Sequence, residues 1–113
     1  MAIYITQGRF TQQAMSGLTA RPEDRAKEVA KLYDASGAKL LAYYVTFGEY
    51  DFMVIGEGGS EDLSAVMSAL VAAAIGGGVT DLKTTLGMTS AEAVKVFEKA
   101  SRLAASFRSA GAT

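Results

Sequence analysis

The side chains able to do chemistry in this 113-residue chain are hydroxyls, carboxylates and a few cations. Cysteine and histidine are absent. That removes thiolate nucleophiles, disulfides, thiolate and imidazole metal ligands, and imidazole acid–base catalysis. Proton transfer would fall to tyrosines and carboxylates. Tyr4 and Thr6 alternate in one apolar segment, Tyr44 and Thr46 in another. If all four line a helix-free sheet face, they form a patch of hydroxyls on apolar ground, the composition of a small-molecule pocket. Arg9 and Lys83 would be the cations beside it for an anionic ligand. The same tyrosines would serve equally as interface anchors, with their hydroxyls satisfied across a dimer. Gly48-Glu49-Tyr50-Asp51 is the other candidate. Turn chemistry accounts for Gly48, Glu49 and Tyr50, whereas Asp51 either holds the start of a strand or places a carboxylate at the mouth of a cleft. Gly56 to Ser60 leads into a helix start, but lacks the lysine and spacing of a phosphate loop and reads as a plain loop. No carboxylate pair has metal-binding spacing, because the adjacent Glu61 and Asp62 are explained by a helix dipole. Neither a metal nor a cofactor is expected.

The elements that must position these groups follow from periodicity. Residues 2–10 alternate as a strand, with Ile3 and Ile5 opposite Tyr4 and Thr6. Thr11 caps a short helix. Pro22 suits the first position of a second helix, with Glu23 and Asp24 in its first turn and Glu23–Lys27 as an outer pair. Ala26, Val29, Ala30 and Tyr33 form that helix's apolar stripe, and Gly37 its left-handed cap. Residues 38–47 and 50–56 read as strands joined by Gly48-Glu49 in a type II′ hairpin. Ser60 caps a helix whose stripe is Leu63, Val66, Met67, Leu70, Val71 and Ala74, stopped by Gly76-Gly77-Gly78. Residues 79–87 alternate as a half-buried or edge strand. Thr89 and Glu92 form a capping box for a last helix over 90–108. Its stripe is Ala93, Val96, Phe97, Ala100, Leu103, Ala104 and Phe107.

This is one α+β domain over residues 1–113: a ferredoxin-like βαββαβ sandwich with a four-stranded antiparallel sheet, a split first helix and an added C-terminal helix. Half the residues are apolar and 20% are charged, enough for a core. Eleven Lys and Arg are scattered among 12 acids, so a nucleic-acid partner is not expected. The longest apolar run, Ala69 to Ile75, is too short for a membrane span. Without cysteines or a signal segment, a cytoplasmic location is expected.

The helices cover one sheet face, yet the second and third strands are apolar on both. Leu41, Tyr43, Val45 and Phe47 stand opposite Leu40, Ala42 and Tyr44; Phe52 and Val54 stand opposite Met53 and Ile55. An uncovered apolar face marks an interface, and two sheets packed face to face in a homodimer or higher oligomer would bury it. The rival is the last helix folding back over its own sheet.

Phe47-Gly48-Glu49-Tyr50-Asp51-Phe52 resembles the Gly-x-Tyr-Asp core of the GYD domain family. The opening Tyr4-Ile5-Thr6-Gln7-Gly8-Arg9-Phe10-Thr11 and the segment Arg21 to Ala26 resemble it too, so the likeness covers roughly residues 2–88. It implies a small ferredoxin-like bacterial protein that self-associates in the manner of a dimeric α+β barrel, with no catalytic residues to carry over. The hairpin and Gly76 to Thr80 also resemble the effector-binding domains of leucine-responsive regulators, which bind small molecules at oligomer interfaces. With no helix-turn-helix ahead of it, this chain would be a stand-alone version. Three functions are left open. The first is a homo-oligomeric, non-enzymatic module that binds a small molecule between helices and sheet, at the helix-free face or at the dimer interface. The second is a cofactor-free oxygenase or isomerase of the dimeric barrel type using Tyr44 or Asp51. The third is a purely structural self-association protein.

Overall fold

A computed structural model describes residues 2–58 and 64–111. The elements run β1 (Ala2–Phe10), α1 (Gln12–Ala20), α2 (Arg25–Ser36), β2 (Lys39–Val45), β3 (Phe52–Gly58), α3 (Ser64–Ile75), β4 (Val79–Gly87) and α4 (Ser90–Ser106). The four strands form one antiparallel sheet in the order β2-β3-β1-β4. That order, with crossover helices between β1 and β2 and between β3 and β4, is consistent with a ferredoxin-like fold.

The helix boundaries are set locally. Thr11 accepts from the Ala14 N–H and starts α1, and Gly37 closes α2 at φ 92°. Thr89 and Glu92 form the capping box of α4. Gly77, at φ 80°, follows the end of α3. Pro22 does not open α2. It lies in the extended link before Asp24, which is the N-cap and accepts from the Ala26 N–H, leaving Glu28 as the acid of the first turn. The exposed pairs are Glu23–Arg25 and Glu28–Lys31 rather than Glu23–Lys27. Ser60, Glu61, Asp62 and Leu63 lie outside the described residues.

The β2–β3 connection is not a two-residue hairpin. The strands end at Val45 and begin again at Phe52, and Gly48 is not among the positive-φ glycines that a type II′ turn requires. Thr46 closes the link instead. Its N–H donates to the Asp51 carbonyl at 2.8 Å and its hydroxyl to the Tyr50 carbonyl at 2.8 Å. Phe47 stands 97% exposed at the tip.

In β1 the residues facing the helices are Tyr4, Thr6 and Gly8; in β3 they are Phe52, Val54, Gly56 and Gly58. They pack with Tyr33 of α2 and with Ala65, Val66 and Ala69 of α3 as the core. The close seating depends on absent side chains. A β-carbon on Gly56 would sit 2.4 Å from the Tyr33 ring. The opposite face carries Ile3, Ile5, Met53 and Ile55, half-buried, and Tyr44, exposed. Both outer strands are irregular. The β2 pairing slips between Leu40 and Ala42. The β4 pairing slips opposite Gly8, where Asp81 takes φ 53°.

The stripe read for α3 is only partly the buried one. Val66 is buried, but Met67, Val71 and Ala74 are exposed, because two alanines, Ala65 and Ala69, meet the core instead. Nor does α4 fold back over its own sheet. None of its residues is buried, and the molecule measures 64 × 30 × 22 Å.

Candidate functional site

A cavity of about 800 Å³ opens between the sheet and the three helices that cover it. Its floor is Thr6, Phe10, Tyr43, Phe52, Val54, Val79 and Leu82. Ala14 and Leu18 of α1, Val29, Leu32 and Tyr33 of α2, and Ala69, Leu70 and Ala73 of α3 wall it. The fold leaves this space because one end of the sheet is filled and the other is not. Tyr4, Val66 and Ala65 pack one end tightly, while Phe10, Val79 and Leu82 at the other end stay only half-buried under the short α1. Gly8 contributes by letting Phe52 and Leu82 lie across the β1 backbone. Phe52 is held between Phe10, at 5.2 Å between ring centres, and Tyr43, stacked at 6.1 Å.

The polar groups of the cavity are few. Thr6 is fully buried, and its hydroxyl bonds that of Thr84 at 2.9 Å. Tyr33 is 2% exposed, and its buried hydroxyl makes no well-formed hydrogen bond, with the Thr6 side chain as its polar neighbour. Burial pushes its pKa up, with the neighbouring Thr6 side chain opposing, so the group stays a neutral donor. The Tyr43 hydroxyl is also raised by burial, opposed by the Arg25 guanidinium and reinforced by Asp24. Arg21, Glu23, Arg25 and Glu28 line the side near the start of α2, where Arg25 and Glu23 pair at 3.0 Å. An exposed pair of this kind contributes about 1 kcal/mol or less, so Arg25 can turn to an incoming anionic group at little cost. The arrangement can surround an apolar molecule and offer it hydroxyl donors. The described residues contain no cluster of three metal-ligating side chains.

The residues read from the sequence are split between two faces. Tyr4 and Thr6 point under the helices, whereas Tyr44 and Lys83 lie on the helix-free face. The four hydroxyls therefore do not gather into one patch. Alternation separates two faces without saying which one the helices cover. Only Thr6 of that set lines the cavity. Arg9 is engaged at a sheet corner. Its Nε donates to the Glu49 carbonyl at 2.9 Å, its Nη1 lies 3.5 Å from Asp81, and its guanidinium sits 5.6 Å from the centre of the Tyr50 ring. Thr46 and Asp51 bind the β2–β3 link: the Asp51 carboxylate accepts from the Phe10 N–H at 3.0 Å, and its own N–H donates to the Gly8 carbonyl at 2.8 Å. Asp51→Ala is expected to lower the stability to urea by about 1–2 kcal/mol, the cost of orphaning a partly buried amide; a loss under about 0.3 kcal/mol would show that the carboxylate does not hold this corner. Tyr33 and Tyr43 are the site residues that sequence reading misses. A tyrosine on a buried helical stripe is the available signal, since its hydroxyl must end somewhere.

A family model described as GYD domain matches residues 4–97. No curated protein matches the chain. Three solved structures resemble it at low identity. TTHA0845 from Thermus thermophilus is 13% identical with a TM-score of 0.49, covering 80% of this chain and 96% of that one. The hypothetical protein PHS023 from Pyrococcus horikoshii is 16% identical with a TM-score of 0.45, covering 80% and 93%. FFRP-DM1 is 16% identical with a TM-score of 0.45, covering 78% and 100%.

Proposed function

The chain belongs to the GYD domain family, and from that premise we propose that it works as a homo-oligomeric module that holds a small, largely apolar molecule in the cleft between its helices and its sheet. The observation that carries this reading is the cavity itself. At about 800 Å³ it falls in the size range of sites for small organic ligands, roughly 300–1,000 Å³. Its aromatic and aliphatic walls suit a ring or short chain. The Tyr33 hydroxyl at the wall, held by no well-formed hydrogen bond, suits a ligand with a hydrogen-bond acceptor. The half-buried row Ile3, Ile5, Met53 and Ile55 on the other side of the sheet supports pairing of copies through that face.

The test uses native mass spectrometry of protein purified gently from cells, together with titration by the apolar anionic dye 8-anilinonaphthalene-1-sulfonate. Wild type is expected to carry a reproducible extra mass or to bind one dye per chain. Ala73→Phe, which fills the cavity from α3, is expected to lose at least tenfold in affinity while unfolding at an unchanged temperature. Equal binding by the two proteins would remove the cavity as the site. For the oligomer, Ile55→Lys is expected to turn a dimer into a monomer in sedimentation equilibrium; a wild type that is already monomeric at high micromolar concentration would end that part of the reading.

A further inference from the structure

Two helical faces of this chain are apolar and exposed. The first is on α3. Its sequence, Ser64–Ile75, contains no charged residue, and a helix that is apolar all round is normally covered all round. Ala65, Val66 and Ala69 face the core. Met67, Val71 and Ile75 recur every four residues on the outside, where Ile75 is 81% exposed. The second face is on α4 and its C-cap, where Val96, Phe97 and Leu103 of the helix and Phe107 of the cap are exposed, the two phenylalanines at 70% and 75%. The link from β4 to α4 is Met88-Thr89, and the capping box opens α4 directly after it. The helix runs out from the body, as the 64 Å long axis shows.

We infer that α4 is an arm exchanged between copies, its phenylalanine-bearing stripe lying on the outer face of α3 of a second copy. This rests on the oligomeric reading above and adds a specific contact to it. The faces match in relief: α4 brings large side chains, and α3 offers Met67, Val71 and Ile75 among serines and alanines. The arm and the body it would meet are opposite in net charge. Residues 90–108 hold Lys95, Lys99, Arg102 and Arg108 against Glu92 and Glu98, a net of +2, so the remainder of a chain of net −1 carries −3. Charges of opposite sign favour the arm meeting another body over another arm. The area is also sufficient. Phenylalanine carries roughly 150–250 Å² of surface, so Phe97 and Phe107 offer on the order of 300 Å² per arm. With a similar area of α3 and the contact made twice about a two-fold axis, the exchange buries on the order of 1,200 Å², the lower bound of a stable interface. A basic amphipathic helix also suits an anionic lipid surface, but that occupant would leave the uncharged face of α3 without a role.

The test places charge on each face separately in the full chain. Phe97→Glu/Leu103→Glu alters only the arm, and Val71→Glu/Ile75→Glu only α3; all four positions are exposed, and circular dichroism checks that both proteins fold. Sedimentation equilibrium is expected to show self-association weakened at least tenfold by either pair. If Ile55→Lys dissociates the oligomer while neither pair alters it, the exchanged arm is overturned and the oligomeric reading stands. If wild type is monomeric, both fail. Co-flotation of wild type with phosphatidylglycerol vesicles, lost in the arm variant while the α3 variant self-associates normally, would assign α4 to a membrane surface and overturn the exchange.

Discussion

Replacing Gly56 with valine is expected to cost about 3 kcal/mol in urea unfolding, the upper end of what overpacking a filled core costs. Gly56 sits on β3 between Val54 and Gly58, at the centre of the helix-covered face. The space its side chain would take is already taken by Tyr33, whose ring carbons lie 2.4 and 3.0 Å from the position of a β-carbon. Tyr33 is 2% exposed and packed in the core cluster, so relieving the overlap means displacing a large ring rather than the far end of a flexible chain. Gly56→Ala makes the same clash with less bulk and is expected to cost about 2 kcal/mol, since a gain of about 0.4–1 kcal/mol from a stiffer unfolded chain offsets part of the strain. Removing the ring tests the cause. In Gly56→Ala/Tyr33→Leu the combined cost should fall short of the sum of the single costs by at least about 1 kcal/mol, the coupling expected of residues in direct contact. Strictly additive costs would mean that the strand, not the ring, resists the substitution.

The second large effect is expected at Phe52. Phe→Ala in a core costs about 3–5 kcal/mol, and Phe52 is the ring on which Phe10 and Tyr43 both rest. Aromatic pairs add about 0.5–1.5 kcal/mol beyond the area they bury. Phe52 also lines the cavity, so its removal widens a space already open to solvent rather than creating a sealed void. The lower end, about 3 kcal/mol, is therefore expected. A loss below about 1 kcal/mol would mean that this end of the sheet is too loosely packed to depend on its central ring. The variant also couples stability to binding: an enlarged cavity should take the dye 8-anilinonaphthalene-1-sulfonate less tightly despite its greater volume, because the stacked wall is gone.

Local chemistry is readable in the sequence and relations between elements are not. The bounds of β1 and β4 follow from alternation, and Thr11, Gly37 and the Thr89–Glu92 pair mark helix ends because each bonds within its own few residues. Asp24 takes the place of Pro22 as the start of α2, since both residues suit that region and only the fold decides between them. The β2–β3 link departs from the expected hairpin because Thr46 and Asp51 bond across it, so β2 ends at Val45 and β3 starts only at Phe52. Tyr4 and Thr6 are legible as a pair but not as facing inward. Val66 and Ala69 turn inward while Met67 and Val71 turn out, although all four are apolar, so periodicity carries no signal along α3. The cavity is the least legible feature. It arises from an unfilled volume under α1, which no single residue encodes.

The slipped pairings on β2 and β4 bear on the sheet's two open edges. An open sheet has two bare edges, and a long regular edge recruits further strands from other chains. Here β2 is irregular between Leu40 and Ala42, and β4 at Asp81, which takes a left-handed backbone, and such irregularities bend an edge strand. Strand addition is hindered at both sides. The sheet-face contact proposed above would close after one partner is added, because a two-fold contact uses the same patch on both copies. With both edges irregular, exposed apolar surface on the faces need not lead to open-ended strand addition.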